Sequence, residues 1–552
     1  MSQKKEHVSL LPVVKIARDI GLDPSDIELY GEYKAKVKLS VLEKTPRATG
    51  GSLVLVSAIT PTPAGEGKTT TAIGLSIGLN RIGRKSIVTL REPSLGPLFG
   101  MKGGATGGGR TQVHPVEDIN LHFTGDIHAV TTAHNLIAAC VDNHIFRRKE
   151  PLIDPRKITW NRVLDMNDRS LRNMVIGLGG KKNGFPREDT FAISASSEIM
   201  AILGLSPDYT QMCQRMANIL IGFTFDNNPV YLRDLKICQA VNALLKHAIK
   251  PNLVQTTENT PALVHGGPFA NIAQGTCSIL SMNMALQLSE FAVTEAGFGF
   301  DLGAEKFFDI VARIGNLNPK VVVLVATVRA LKMHGGNKLS QLDSTDPDAV
   351  EKGLPNLEKH IENIKKFNVP PVIAINRFPA DSDEEISVIS RFCEKHGAAS
   401  AVIDSAAAGG AGAEDLARKV AQLAGHSNTY TPLYSLGLPL KEKIETVCRE
   451  IYGSKAVDFT REAKKDMKTV EKLGFDKLPV CIAKTQKSLS DNPALLGRPK
   501  DFLVTVRNIS ISSGAGFLVP VTGDILLMPG LPHTPAAEGV TMDREGRISG
   551  LF

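Results

Sequence analysis

Short runs of aliphatic and β-branched residues alternate along this chain with longer segments whose apolar residues recur every three or four positions. The runs at 53–59, 86–90, 291–294, 321–327, 372–375 and 401–403 are almost continuously apolar, the pattern of strands covered on both faces. Segments 69–82, 357–366, 383–396 and 413–423 carry the helical period. Strand–helix alternation of this kind predicts an α/β fold with a mostly parallel sheet and helices on both faces. The pattern divides the chain into a first domain at 1–366, a second α/β domain at 367–430 and a smaller mixed α/β domain at 431–552. The last of these ends in strand-like runs at 502–507 and 517–521, and the stretch 425–440, with Pro432 and Pro439, reads as a linker.

Composition narrows the classes. With 42% apolar and 22% charged residues among 552, the chain is neither disordered nor fibrous. Lys and Arg exceed Asp and Glu by 64 − 57 = 7, too mild and dispersed for a nucleic-acid footprint but suited to anionic small substrates. The seven cysteines are scattered with no CxxC pair, which argues against a disulfide framework or zinc site. The N-terminal apolar run is broken at Pro12, a poor signal peptide, and the run 321–326 is far short of the roughly 18 residues needed to span a bilayer. A cytoplasmic protein with neither nucleic-acid nor membrane partners is expected.

The strongest local motif joins the first buried run to the first helix. Thr62, Pro63, Ala64, Gly65, Glu66, Gly67, Lys68 and Thr69 form a turn of the Walker A kind, between strand and helix, and predict an ATP-binding, P-loop NTPase-like first domain. Its glycines let backbone N–H groups face an anion, Lys68 brings charge to the outer phosphates, and the Thr69 hydroxyl suits Mg2+ held with ATP. The strict pattern has glycine where Thr62 stands, so a glycine-rich turn that merely starts a helix is the alternative. After the run 86–90, Arg91 and Glu92 emerge where ligands gather in such sheets. Arg91 offers a planar fork to a carboxylate or phosphate, the alternative being a structural pair with Glu92 or Asp126. His114, His122, His128 and His134 lack the spacing that stacks ligands on one helix face, so no resident transition metal is expected.

Longer strings carry a resemblance. REPSLGP, MKGGATGGGR, EDINLHFTGDIHAVTTAHNL, NTPALVHGGPFANIA, VTEAGFGFDLGAEKFFDI, LVATVRALKMHGG, AINRFPAD, GFDKLPVCIAKTQ and the closing GLF stand in order over nearly the whole chain. The chain resembles the formate–tetrahydrofolate ligases. That resemblance implies conversion of formate, tetrahydrofolate and MgATP to 10-formyltetrahydrofolate, ADP and phosphate through formyl phosphate. It also implies a homotetramer and stimulation by a monovalent cation. Lys68 and Arg91 become the catalytic pair, with Glu92, Ser94 and Asp126 lining the formyl phosphate site. Phe298, Phe378, Pro379 and the position of Ala406 become the folate pocket.

Several motif positions depart from the family pattern. The pterin is there sandwiched by two aromatic plates, one matching Phe378 and the other a tryptophan whose position is Ala406 here. The one tryptophan, Trp160, lies in an unrelated motif. Gln274 replaces histidine, Phe300 alanine, Arg110 tyrosine and Lys487 tyrosine. Loss of one plate corresponds to about 1–3 kcal/mol of stacking, or roughly 5- to 150-fold in affinity, and Phe300 is a candidate to refill the space. Two further readings stay open: a paralogue with altered acceptor specificity, and a nucleotide-dependent switch or assembly ATPase.

Overall fold

In the computed structural model, residues 8–44, 51–101 and 105–550 are described. Part of the glycine-rich MKGGATGGGR string and the last two residues of GLF therefore lie outside the described residues. One large sheet organises the molecule. Ten of its twelve described strands form the main path, in chain order β1 (Ile27–Leu29), β2 (Ala35–Val37), β3 (Ser52–Ala58), β4 (Ser86–Leu90), β5 (Asn252–Thr256), β6 (Pro261–Val264), β7 (Phe291–Glu295), β8 (Pro319–Ala326), β9 (Pro371–Asn376) and β10 (Ala399–Ile403). In space they run β1-β2-β5-β6-β4-β7-β3-β8-β9-β10. The seven strands from β6 to β10 are parallel, and β5, β2 and β1 extend them as antiparallel neighbours. The expected mixed α/β fold with a mostly parallel sheet is what the chain adopts.

Successive residues of a strand face opposite sides, and here both sides are dry. Leu53 and Leu55 of β3 join one hydrophobic core, while Val54, Val56 and Ala58 join the other. β8 divides the same way, Val322 and Leu324 against Val321, Val323 and Val325. This two-sided burial is why these runs read as continuously apolar. Helix α1 (Lys68–Arg81) covers one face, and α2 (Asp126–Phe146), α3 (Val328–His334) and α4 (Pro347–Lys365) pack on the other. Helix α5 (Asp383–Lys395) follows β9, and α6 (Glu414–Ala424) returns to the α1 side.

Three differences from expectation have physical causes. The sheet runs on through position 366: Val322 to Ala326 of β8 pair in register with Pro371 to Ile375 of β9. A buried parallel strand looks alike in sequence whether it opens a new sheet or continues an old one. Helix α4 begins at Pro347, well before 357, capped by Asp346 and carrying Pro355 inside it; an interior proline removes one helical hydrogen bond and makes the period read as broken. The stretch 425–440 is strapped to the body, with Thr431 N–H donating to the Phe367 carbonyl at 3.0 Å and Tyr434 buried.

The C-terminal part forms a three-stranded sheet of β11 (Ala456–Phe459), β12 (Leu503–Ser512) and β13 (Phe517–Thr522). It is tied to the main body by Lys484 against Asp301 at 3.0 Å and by Arg498 forked onto Glu362. Trp160 is a core residue, 5% exposed and stacked on His134 at 4.1 Å.

Candidate functional site

The chain leaves β3, turns through 59–67 and enters α1 at Lys68. Gly65 and Gly67 take left-handed backbone, φ +80° and +75°, which glycine adopts at no steric cost. Gly67 is also pressed from outside: a Cβ there would lie 2.5 Å from Asn376 Nδ2. Within the loop, buried Glu66 accepts the Thr62 N–H at 2.6 Å. From outside, the Thr327 hydroxyl donates to the second Glu66 oxygen, Arg329 Nη2 donates to the Gly65 carbonyl, and Asn376 Nδ2 donates to the Glu66 carbonyl at 3.0 Å. The loop is thus held from β8, α3 and β9, while Pro63 and Ala64 stay exposed at its crest.

Beside it, β7 ends in Glu295, which is 3% exposed. Thr69 Oγ1 donates to one Glu295 oxygen at 2.8 Å, and Arg91 Nη2 lies 3.7 Å from the other. Strand order explains the meeting, since β7 lies between β3 and β4. Arg91 also reaches the Pro268 carbonyl at 3.4 Å, and its buried Nε has no acceptor among the described residues. Its carboxylate partner is therefore Glu295, rather than Glu92 or Asp126.

Those two acids sit in a different setting. Asp126 is buried and gripped by Lys36 Nζ at 2.8 and 2.9 Å and by Asn252 Nδ2 at 2.8 Å. Glu92 is buried nearby; burial first, and then the Asp126 charge, push its carboxyl well above the usual range. Ser94 donates to Asp165 at 2.5 Å, and the other oxygen of that carboxylate accepts the Leu95 N–H at the start of the short helix Leu95–Phe99 at 3.0 Å.

The turn after β7 carries Phe298, half-buried with φ +58°. That backbone is uncommon for a bulky non-glycine residue, and tight packing around it leaves little alternative: a Cβ on Gly297 would lie 3.0 Å from Arg91 Nη1, and one on Gly303 would overlap the Gly297 carbonyl at 2.0 Å. Phe378 follows β9, half-buried, its N–H donating to Asp381 at 2.8 Å; Pro379 beside it is exposed. The Arg329 guanidinium lies over the Phe378 ring, 3.9 Å from its centre. Ala406 is exposed in the short helix Ser405–Ala408 after β10, its carbonyl accepting the Arg110 N–H at 2.8 Å.

Phe300 does not refill the space at Ala406. It is wholly buried, 6.0 Å from each of Phe308 and Phe367, which stack on one another. Gln274 is likewise internal, donating to the Ala201 carbonyl at 3.3 Å.

Sequence reasoning had missed Glu295, Arg329 and Asn376. For Glu295 the signal was present, an acid closing a buried strand in VTEAG; for the other two, only the strand order puts them beside the loop. The arrangement is that of an α/β protein with a glycine-bearing strand–loop–helix turn flanked by an acid and an arginine at the carboxyl ends of parallel strands. Among the described residues no helix is long and apolar enough to cross a membrane.

The family model described as formate–tetrahydrofolate ligase matches residues 2–552. A formate–tetrahydrofolate ligase of Syntrophus aciditrophicus (strain SB) is 58% identical over 551 residues, covering 100% of this chain and 98% of the relative. The chain belongs to the formate–tetrahydrofolate ligase family.

Proposed function

We propose that the reaction of this ligase, ATP-dependent joining of formate to tetrahydrofolate, runs through formyl phosphate in a site built on Lys68, Thr69, Arg91 and Glu295. One observation carries the reading: Thr69 of the loop and Arg91 of the neighbouring strand meet on the same Glu295 carboxylate. Formate is a poor electrophile, so one of its oxygens must first attack the γ-phosphorus, with ADP leaving. Such transfer depends on positioning and charge neutralisation. The loop N–H groups and Lys68 hold the phosphates, while Arg91 orients formate in line and then balances the charge of the mixed anhydride. The ten-position nitrogen of the folate forms the new C–N bond to the formyl carbon, losing its proton as phosphate leaves.

Thr69 and Glu295 are hard oxygen donors within hydrogen-bond distance of each other, a set that fits Mg2+. They would hold the ion, which supplies charge neutralisation on the outer phosphates when bound. Phe298 and Phe378 supply the apolar surface for the pterin, with Pro379 and Ala406 at its edge; Glu92, Ser94 and Asp126 form the surround of the formate end. A monovalent cation, a homotetrameric assembly and a cytoplasmic location belong to the same reading by family likeness.

The test is ADP release by the purified protein with MgATP and formate, with and without tetrahydrofolate, while the formylated product is followed. Folate-dependent product is expected. Its absence at millimolar tetrahydrofolate overturns the reading, and formate-dependent ADP release without that product points to a different acceptor, as the exposed Ala406 at the second plate position allows.

A further inference from the structure

Two substrate loops at one sheet edge share a single side chain. Arg329, the second residue of α3, donates through Nη2 to the Gly65 carbonyl of the phosphate loop. The same guanidinium lies over the Phe378 ring, 3.9 Å from its centre. Its Nε is buried without an acceptor among the described residues, and its charge also acts on the Asp381 carboxyl, which accepts the Phe378 N–H. Two residues earlier, Thr327 caps α3 and donates to Glu66. Asn376 donates to the Glu66 carbonyl two residues before Phe378. Phosphate loop, α3 and the Phe378 loop are therefore one connected unit.

We propose that Arg329 is a positioning residue that couples occupancy of the phosphate loop to the aromatic plate at Phe378. The inference rests on the nucleotide and folate roles proposed for the two loops, and adds that they act on each other. A guanidinium suits this task. Its planar fork can hydrogen-bond at its edge and stack through its face at once, which an ammonium cannot do. A cation over one face of a ring is attracted by its electron density, and it leaves the opposite face for a flat heterocycle. When nucleotide phosphates order the loop backbone, the Gly65 carbonyl fixes Arg329, and Arg329 fixes the tilt of the plate. A pterin then finds a ring already ordered. By linkage the effect runs equally in reverse, from folate to nucleotide.

The experiment is calorimetric titration of tetrahydrofolate into the full chain under anaerobic conditions, without formate so that no turnover occurs, in the absence and presence of saturating MgATP. In the wild type, MgATP should tighten tetrahydrofolate binding about 5-fold or more, the lower end of ordinary coupling between sites. Arg329→Met and Arg329→Lys should bring that ratio to within about twofold of one, the lysine failing to rescue because it cannot stack and fork together. Phe378→Leu removes the ring from the other end and should abolish the ratio independently, whether or not the arginine variants fold. A wild type that binds tetrahydrofolate with an affinity indifferent to MgATP overturns this inference alone. So does a wild-type ratio retained in Arg329→Met or Phe378→Leu. A wild type that binds MgATP but no tetrahydrofolate overturns the folate reading and this inference with it.

Discussion

The loop after β3 and the loops after β9 and β10 share one edge of one sheet, yet they are held in opposite ways. The phosphate loop is fastened from three neighbouring elements, through Thr327, Arg329 and Asn376, and its acid Glu66 is buried. The β10 loop presents Ala406, Ala407 and Ala408 to solvent, and the β9 loop presents Pro379. In the proposed reading, the polar groups on the phosphate side are already aimed where charge would develop, the arrangement that lowers barriers in phosphoryl transfer. The proposed folate side would then have half of a stacking site, a ring backed by a guanidinium and nothing aromatic at Ala406. Under the proposed reading, phosphoryl-transfer machinery and acceptor affinity are separable on this scaffold: the chemistry would rest on the buried ends of β3, β4 and β7, and acceptor grip on exposed loops further along the sheet.

That contrast can be broken from either side. The largest effects belong to the phosphate side. Lys68→Ala and Arg91→Ala should each lower kcat/KM for formate by about 10³-fold or more, in an assay of ADP and formylated folate together. A loss below about tenfold in both would remove them from the chemistry. Glu295→Gln comes next: its partners Thr69 and Arg91 remain, and the magnesium concentration needed for half-maximal rate should rise by about 10- to 100-fold. An unshifted magnesium titration would separate Glu295 from the ion. On the folate side, Ala406→Trp should lower KM for tetrahydrofolate by about 5-fold or more with little change in kcat, by restoring one stacked face. If KM is unchanged or raised, the missing plate is not what limits folate binding.

The smallest effect is a reference outside both regions. Glu198 accepts N–H bonds from Gly514 and Ala515 of the C-terminal part, at 2.7 and 3.0 Å, and burial pushes its carboxyl up from 4.5 to about 7. The folded chain therefore keeps a proton that the unfolded chain releases. The stability this contributes is full below the unfolded value of 4.5 and lost as pH rises toward about 7. A Tm series from about pH 5 to about pH 8 should show the wild type losing ground steadily to Glu198→Gln. Parallel curves would mean that the carboxyl is charged throughout, and the folate and phosphate variants should leave this slope unaltered.

The strand–loop–helix turn at Lys68 was legible in residues alone, because its signal is local. A strand runs into glycines and then Lys68 and Thr69, and β3 and α1 fall within a residue or two of the expected 53–59 and 69–82. The helix at 383–396 was legible from its apolar period, and the structure adds a capping box of Ser382 and Glu385 at its start. The antiparallel extension of the sheet by β5, β2 and β1 was not legible, since their sequences NLVQT, AKV and IEL mix polar with apolar residues and do not read as apolar runs. Phe300 was misjudged because an aromatic in a motif gives no direction; only the fold turns it inward onto Phe308 and Phe367.

By itself the sequence determined the class of fold, the family, the strand–loop–helix turn at Lys68 and the absence of an aromatic residue at Ala406. These are properties of short segments or of the ordered string of motifs, and need no knowledge of what lies beside them. Tertiary structure alone decided that β9 and β10 continue the first sheet, that Glu295 joins Thr69 to Arg91, and that Arg329 joins Gly65 to Phe378. Glu295 meets Arg91 and Thr69 across 204 and 226 positions of the chain, and Arg329 meets Gly65 across 264 and Phe378 across 49. Strand order creates them, and strand order is set by which apolar faces bury together, a choice that local periodicity does not encode.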